Sequence, residues 1–378
     1  MKYIFILTAL AALTVCGADA GTFVRCDHPA FGLSPFSWHV AKSADGTPSA
    51  EAPNPGAYFK TIVSGTSTIK LRIDGAANRF YGEKANVWIE YSVDDLTFVS
   101  KQLGTPADSD IYDITLAEGL NPEENHLVEV YFRSGELGPR WSNSRGHLRI
   151  NGLVLDEGGK ISVYPKRPKY ALCFGDSITE GVGAVGHFTT WDETSPNSAR
   201  VTWFPVVCEA LNCEYGQAGS GGHGIQQRTM EIPPLVDSWS YLWQDTSRLK
   251  HGKLVPEPDY IFCNMGTNDN SPEGRHTVDF VTPYLKWLRD IRKAAPKAMI
   301  FMVVPPNGVH RENISTVLAK CDDRNVYIID TPRLNNRITV RPPTPTSLTS
   351  DAVHPNEYGH ALFGATVAVE AQKIIDGK

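Results

Sequence analysis

Residues 169–181 read KYALCFGDSITEG. The apolar run at 170–174 is typical of a short buried strand, and the Gly175-Asp176-Ser177 that follows predicts that Ser177 lies at the carboxyl edge of a sheet. If a helix begins there, its free N–H groups point at Ser177, which suits a nucleophile whose attack creates an oxyanion. The alternative is that Ser177 only caps the helix, a common use of serine.

Downstream of this stretch, apolar strands alternate with amphipathic helices. Strand-like runs recur at 259–265, 298–304 and 326–330. Helical faces with i, i+3, i+4 spacing are formed by Phe204, Val207, Cys208 and Leu211, by Phe280, Tyr284, Trp287, Leu288, Ile291 and Ala295, by Ile314, Val317, Leu318 and Cys321, and by Phe363, Val367, Ala371 and Ile374. This alternation predicts an α/β fold whose parallel sheet is covered on both faces.

Residues 21–165 show a different sequence pattern. Short runs rich in β-branched and aromatic residues, separated by Gly and Asp, lie at 58–63, 68–73, 87–93, 111–116 and 126–132. No helical stripe interrupts them, which predicts a β-sandwich domain, with a jelly roll as the preferred type. A stiff, proline-flanked joint at 165–168 separates this domain from a second domain at 169–378.

Residues 1–20 have the pattern of a secretory signal peptide. Lys2 gives a positive start, an apolar core follows at 3–15, and Ala18-Asp19-Ala20 fits the rule for cleavage after Ala20. A lipoprotein signal ending at Cys16 is the second interpretation. Either signal predicts a secreted or periplasmic protein, and no other segment is apolar enough to insert the mature chain into a membrane.

The composition is that of an ordinary globular protein. Charged residues make up 21% of the 378 residues and the net charge is −6, so neither nucleic acid nor an anionic membrane surface is expected as a partner. Among the cysteines, Cys173 and Cys263 are predicted to be core residues, whereas a bridge between Cys208 and Cys213 stays open. No cluster of His, Cys and carboxylates has metal-ligand spacing, so neither a metal nor another cofactor is predicted.

Two further motifs follow predicted strands. Gly266-Thr267-Asn268-Asp269 comes after the strand at 259–265, so Asn268 can aim a side-chain N–H at the same edge of the sheet as Ser177. An Asx-turn is the alternative for Asn268. Residues 217–224, QAGSGGHG, form a Gly-rich loop that can bring its backbone close to a ligand or can simply be flexible. Its spacing fits neither a dinucleotide fingerprint nor a P-loop.

The last motif, Asp351-Ala352-Val353-His354-Pro355, lies near the C-terminus. A spacing of three residues lets the Asp351 carboxylate reach the His354 imidazole, hold its tautomer and stabilise its charged form, so that His354 can take a proton from a serine. Alone, the pair could be a local capping contact. Together, the four motifs supply a nucleophile, two oxyanion donors and an Asp–His pair. Four independent coincidences would be needed to produce this set by chance.

With these four motifs, the sequence resembles the SGNH (GDSL-type) hydrolases over roughly residues 170–378. The resemblance implies a three-layer α/β/α domain with a flavodoxin-like parallel sheet. It also implies catalytic roles: Ser177 as the nucleophile, His354 as the base and Asp351 as the residue that orients His354.

The same resemblance implies an oxyanion hole. Its donors would be the Ser177 amide, the Gly222 amide and the Asn268 side chain. Gln217 stands where the family usually has Asn, and this difference leaves Gly219 and Gly221 as alternatives to Gly222.

A β-sandwich ahead of an SGNH domain resembles the layout of carbohydrate esterase family two and related acetylxylan esterases. This likeness implies an exported serine esterase that removes O-acetyl groups from a polysaccharide or oligosaccharide through an acyl-enzyme. The sandwich would either bind glycan or wall the active site. The alternatives are an SGNH lipase, thioesterase or general arylesterase, and a glycan-binding protein that has lost catalytic activity.

Aromatic side chains in the loops after Ser177 and after the Gly-rich segment are candidates for stacking on sugar rings. Packing inside the loops is the competing explanation for each ring. The candidate substrate-binding residues are Trp191, Trp203, His223, Trp239 and Trp243.

Overall fold

The computed structural model describes residues 21–42, 46–79, 82, 85–94, 97–104, 106–136, 140–187, 189–190, 192–227, 232–269, 279–331, 348–351 and 353–378. Across these ranges no helix has both the length and the apolar character needed to cross a bilayer. Residues 1–20 lie outside them, so the signal-peptide and lipoprotein interpretations stay predictions.

The N-terminal part consists of two antiparallel sheets. Its strands are β1 (Thr22–Arg25), β2 (Gly32–Leu33), β3 (His39–Lys42), β4 (Pro48–Ala52), β5 (Tyr58–Ser64), β6 (Ile69–Asp74), β7 (Trp88–Val93), β8 (Val99–Gln102), β9 (Ile111–Ala117), β10 (His126–Ser134), β11 (Leu148–Leu155) and β12 (Lys160–Ser162). One sheet has the order β3-β4-β11-β6-β9 with β1 on β11, and the other has the order β12-β5-β10-β7-β8 with β2 on β5.

Alternation of side chains along the strands turns one face of each sheet inward. In β6, Ile69, Leu71 and Ile73 are buried while the residues between them are half-buried. They share one hydrophobic core with residues of the other sheet, including Val63 of β5 and Val130 of β10. The predicted two-sheet domain is therefore present, whereas its jelly-roll connectivity stays a prediction.

A parallel sheet forms the centre of the C-terminal part. The strands described there are β13 (Lys169–Gly175), β14 (Cys213–Gly219), β15 (Tyr241–Trp243), β16 (Thr246–Ser247), β17 (Tyr260–Asn264), β18 (Met299–Val303) and β19 (Val326–Ile329). The sheet has the order β14-β13-β17-β18-β19, and β15 pairs with β16 apart from it. The helices described are α1 (Ser177–Glu180), α2 (Trp203–Ala210), α3 (Leu235–Ser238), α4 (Val281–Ala294), α5 (Arg311–Lys320) and α6 (Glu357–Asp376).

Helices cover both faces of this sheet. On one side, Phe174 of β13 packs in a core with Trp287 of α4. On the other side, Cys173 of the same strand packs with Phe204 of α2 and Phe363 of α6. Because successive residues of a strand point to opposite faces, β13 contributes to both cores. The predicted parallel sheet with helices on both faces is confirmed.

The two parts pack against each other. Tyr58 of β5 is buried in the same core as Tyr215 of β14. Its hydroxyl donates to the Glu214 carboxylate and accepts from the Tyr215 amide at 3.1 Å. A second contact joins the Nε of Arg200 to the Glu90 carboxylate of β7 at 2.5 Å. The interior therefore continues from the two-sheet domain into the parallel-sheet domain.

The cysteines in the described ranges are free thiols. Cys173 and Cys263 are buried in the core, as predicted. Cys208 and Cys213 are buried as well and do not form the bridge that the sequence left open. Burial raises the pKa of Cys213 to about 12, which keeps this thiol protonated and unreactive.

Candidate active site

Ser177 stands at the carboxyl end of β13. The strand ends at Gly175, where a Cβ would come within 2.0 Å of the Thr179 side chain, so glycine lets α1 fold back this closely. Asp176 caps α1 by accepting a hydrogen bond from the Ile178 amide at 2.9 Å. Ser177 is thus the first residue of the helix and not its cap, and its amide has no partner inside the helix.

His354 and Asp351 reach Ser177 from the segment before α6. His354 Nε2 lies 2.8 Å from Ser177 Oγ, and His354 Nδ1 lies 2.7 Å from Asp351 Oδ2. The other carboxylate oxygen, Asp351 Oδ1, accepts from the amides of Val353 and His354 at 2.9 and 2.8 Å. Ser177 and His354 are only 7% and 4% exposed. Serine, imidazole and carboxylate therefore form one largely buried chain of hydrogen bonds.

The carboxyl group of Asp351 stays ionised beside this histidine. Burial alone would raise its pKa, but the hydrogen bond and charge of His354, together with the two amides, hold the pKa of Asp351 down at about 2. A carboxylate on the Nδ1 side keeps a proton on that nitrogen, which leaves Nε2 able to accept the proton of Ser177. The arrangement can therefore act as a general base on the Ser177 hydroxyl.

Asp176 and Asp269 hold the surrounding loops. Asp269 accepts hydrogen bonds from the amides of Ile225, Gln226 and Gln227 at 2.9 to 3.0 Å. Both aspartates thus accept hydrogen bonds from nearby backbone amides. Burial raises the pKa of Asp176 to about 6.

The Gly-rich loop lies beside α1. Gly219 is the last residue of β14 and pairs with Gly175 inside the sheet. The Gly221 amide donates to the Glu180 carboxylate at 2.6 Å. No group in the described part of the chain accepts a hydrogen bond from the Gly222 amide. Of the two candidate glycines of this loop that follow β14, Gly221 has a committed N–H, whereas the Gly222 N–H is uncommitted.

Asn268 lies in a 3₁₀ turn, Thr267–Asp269, shortly after β17. Its side-chain nitrogen donates to the His223 carbonyl oxygen at 3.0 Å and so links this turn to the Gly-rich loop. A side-chain amide carries a second N–H, which this contact does not use. Ser177, Gly222 and Asn268 follow three adjacent strands of the sheet, and their roles as oxyanion donors stay predictions.

Sequence reasoning missed a buried ion pair next to this site. Arg140, from the two-sheet domain, is 3% exposed, and Glu180, the last residue of α1, is 2% exposed. Arg140 Nη2 donates to Glu180 Oε1. Of the two residues, only Glu180 left a signal in the sequence, as an acidic residue three positions after Ser177. Arg140 lies in no motif.

The prediction that Trp203 binds a sugar is wrong. The ring is completely buried at the start of α2, where it packs on Phe204 and Phe363 with ring centroids 5.5 and 5.4 Å apart. Its indole nitrogen donates to the Thr179 hydroxyl at 3.2 Å. No face of the ring is left for a ligand. Trp191 lies outside the described residues, so its role in sugar binding stays a prediction.

The other three candidates lie near the boundary between the two domains. Trp239 and His223 line a small cavity of about 30 Å³ there. Burial lowers the pKa of His223 to about 4, and the Nε2 of this neutral ring donates to the Pro233 carbonyl oxygen at 2.9 Å. Trp243 packs on the His147 ring of the two-sheet domain at 5.1 Å. Sugar binding by these three residues stays a prediction.

Across the ranges that the structure describes, no group of three or more His, Cys, Asp or Glu side chains could hold a metal ion. The hydrogen bonds of His354 are made to the protein groups Asp351 and Ser177. Metal independence nevertheless remains a prediction from the sequence.

This arrangement matches a known family. The model of the GDSL-like Lipase/Acylhydrolase family matches residues 173–362, which is half of the chain and includes Ser177, Asn268 and His354. The chain belongs to the GDSL-like lipase/acylhydrolase family. The resemblance drawn from the four sequence motifs is thereby confirmed.

Two relatives of this GDSL-like protein are named as esterases. It is 27% identical over 277 residues to the cellulase/esterase CelE of Acetivibrio thermocellus, an alignment that covers 67% of the chain and 32% of CelE. It is 25% identical over 257 residues to the acetylxylan esterase/glucomannan deacetylase of Cellvibrio japonicus, covering 66% of the chain and 65% of that relative. The chain therefore spans less than two thirds of each relative.

Solved structures share the whole two-domain fold of this GDSL-like protein. A family two carbohydrate esterase from Cellvibrio japonicus superposes with a TM-score of 0.74 at 19% identity, covering 94% of this chain and 98% of the other. A family two carbohydrate esterase from Clostridium thermocellum, in complex with cellohexaose, gives a TM-score of 0.70 at 19% identity over 91% and 99% of the chains. The predicted layout, an antiparallel-sheet domain ahead of an SGNH domain, is confirmed.

Proposed function

We propose that this protein is an exported esterase that removes O-acetyl groups from a carbohydrate. The observation that carries the proposal is the chain of hydrogen bonds from Ser177 Oγ through His354 to Asp351 at the edge of the sheet. The names of the two relatives and the shared two-domain fold support a carbohydrate as the acetylated substrate.

The reaction follows from the geometry of these groups. His354 Nε2 takes the proton of Ser177 as Oγ attacks the acetyl carbonyl carbon, and the carbonyl oxygen becomes an oxyanion. The amides of Ser177 and Gly222 and the free N–H of Asn268 stabilise that oxyanion. His354 then returns its proton to the departing sugar oxygen, which leaves acetyl-Ser177. A water molecule, deprotonated by His354, repeats the sequence and releases acetate.

Acetate release tests this function against the alternatives. Acetylated xylan and acetylated glucomannan are incubated with the wild type and with Ser177→Ala, and free acetate is measured. We expect acetate to be released by the wild type and not by Ser177→Ala. Preference for long-chain esters would indicate a lipase, preference for acyl thioesters a thioesterase, and binding of the polymer without release an inactive glycan-binding protein.

Export is part of the proposal because the first 20 residues have the pattern of a cleaved leader. Sequencing the N-terminus of the protein recovered outside the cytoplasm should give Gly21 as the first residue. A lipid-modified Cys16 would support the lipoprotein interpretation, and a start at Met1 would contradict both.

Replacing Asn268 with alanine should lower kcat for acetyl-ester hydrolysis by about 10²–10³-fold with little change in KM, because an oxyanion donor acts mainly in the transition state. Steady-state kinetics on a small acetyl ester measure both constants. Asn307→Ala is the matched control, since Asn307 accepts from the Val309 amide in a turn of the same domain. If Asn268→Ala lowers the melting temperature but leaves kcat unchanged, Asn268 is a turn residue.

A further inference from the structure

Arg140 carries a positive charge from the two-sheet domain into the hydrolase domain. Its guanidinium donates to the Glu180 carboxylate and, through Nη1, to the Pro53 carbonyl oxygen at 3.2 Å. Its own backbone is held as well, because the completely buried His147 has Nε2 2.8 Å from the Arg140 carbonyl oxygen and Nδ1 2.8 Å from Glu51 Oε1. The position of this guanidinium is therefore set by the two-sheet domain.

Glu180 joins three parts of the protein. It belongs to the single turn of helix that begins with Ser177, and its Oε1 accepts from Arg140. Its other oxygen, Oε2, accepts from the Gly221 amide at 2.6 Å, directly before the uncommitted amide of Gly222. The Gly-rich loop is thus tied by one carboxylate to the helix of Ser177 and to the other domain.

A buried carboxylate needs this arginine. Burial raises the pKa of Glu180, while the charge of Arg140 and the Gly221 amide oppose the rise. Without Arg140, the ionised carboxylate would be left in a low-dielectric interior without a cation, so it would either turn toward water or take up a proton. Either change weakens the hydrogen bond that fixes Gly221.

We propose that Arg140 is a positioning residue for ester hydrolysis: through Glu180 it holds the Gly221–Gly222 backbone where the Gly222 amide receives the oxyanion. The two-sheet domain then completes the active site of its neighbour and does more than offer a surface to glycan. This inference rests on the proposed esterase function.

A second ion pair across the same boundary provides a matched control. Arg200 Nε lies 2.5 Å from Glu90 Oε2, and Arg133 Nε lies 3.2 Å from Glu90 Oε1. Arg200→Ala therefore removes a contact between the domains while the Glu90 carboxylate keeps Arg133. This pair has no hydrogen bond to the Gly-rich loop in the described ranges. If Arg140 had a purely structural role, Arg140→Ala and Arg200→Ala would have the same effect on kcat.

The test compares the two variants in the full-length protein on a small acetyl ester, with rates expressed per folded molecule. Arg140→Ala should lower kcat by about 10²-fold, the size of effect that a misplaced group produces, with KM close to the wild-type value. Millimolar guanidinium should restore part of that kcat. Arg200→Ala should keep the wild-type kcat and should not respond to guanidinium, even if its melting temperature falls.

Arg140→Lys covers the case in which Arg140→Ala does not fold. Lysine keeps the charge but lacks the planar fork, so kcat should fall by about tenfold. A wild-type kcat in Arg140→Lys, or equal kcat losses in Arg140→Ala and Arg200→Ala, would overturn the inference.

Labelling of Ser177 by a serine-directed phosphonate separates this inference from the proposed function. The tetrahedral phosphonate places an oxygen where the oxyanion forms, so labelling should slow in Arg140→Ala by a factor similar to the fall in kcat. If the wild type releases no acetate but Ser177 is labelled more slowly in Arg140→Ala than in the wild type, the substrate assignment fails and the positioning role stands. If the wild type releases acetate and labelling is unaffected in Arg140→Ala, the positioning role fails.

Discussion

Replacing Ser177 with alanine is expected to lower kcat for hydrolysis of a small acetyl ester by about 10⁶-fold, the loss that removal of a triad serine produces. Ser177 Oγ lies 2.8 Å from His354 Nε2, and without this oxygen no acetyl-enzyme can form. The residual rate would come from substrate binding and the remaining oxyanion donors. Steady-state kinetics on the wild type and the variant, with melting curves to verify the fold, measure the effect.

Ser315→Ala is the matched control for this prediction. Ser315 is exposed on α5, where its hydroxyl donates to the Arg311 carbonyl oxygen at 3.0 Å, and its loss should leave kcat unchanged. A serine-directed phosphonate should label Ser177 in the wild type and leave Ser177→Ala unlabelled. Full inhibition with the label on another residue, or wild-type turnover in Ser177→Ala, would show that the nucleophile lies elsewhere.

The sequence predicted strands best in the sheet interiors, where β-branched and aromatic residues are dense. Trp88–Val93 and Tyr260–Asn264 are examples. The missed strands include His39–Lys42, Val99–Gln102 and Lys160–Ser162, which stand at the ends of their sheets and are mostly exposed. An edge strand that faces water needs no apolar alternation, so short polar edge strands leave little signal in a sequence.

Leu148–Leu155 escaped prediction for a different reason. Its register against β6 shifts between Ile150 and Gly152, and Gly152 has a φ of 154°. A Cβ at Gly152 would come within 2.0 Å of the Val24 carbonyl oxygen on β1, so the approach of a neighbouring strand requires glycine there. This requirement comes from a strand more than a hundred positions away, and no local pattern reports it.

The same distinction applies to the candidate site. Ser177 and Asn268 were predictable because each lies in a short motif after a strand, and parallel strands bring their carboxyl ends to one edge. The contact of Arg140 with Glu180 spans 40 positions and exists because two domains pack together. Trp203 shows the converse, since its aromatic character favoured sugar stacking but the packing of α2 against α6 buries it.

Replacing Asp351 with asparagine should lower kcat by about 10⁴-fold while the backbone stays in place. Asp351 Oδ1 accepts from two amides, those of Val353 and His354, whereas Oδ2 faces His354 Nδ1 at 2.7 Å. An asparagine oxygen will therefore turn to the two amides, which places its NH₂ against Nδ1. Histidine then has to carry its proton on Nε2, so it can no longer accept the proton of Ser177.

Asp279→Asn separates this tautomer effect from the loss of a charged backbone contact. Asp279 Oδ1 accepts from the Thr282 amide at 3.0 Å at the start of α4, so this variant should keep the wild-type kcat.

The loss of stability caused by Asp351→Asn should depend on pH. The pKa of Asp351 is lowered from an ordinary value of about 4 to about 2. The stability due to its ionised form is therefore present above about pH 4 and is lost as the pH falls toward about 2. The difference in melting temperature between wild type and Asp351→Asn should therefore shrink over that window. A variant that loses stability in this way but retains most of its kcat would leave Ser177 and His354 working as a dyad, with Asp351 confined to holding the loop.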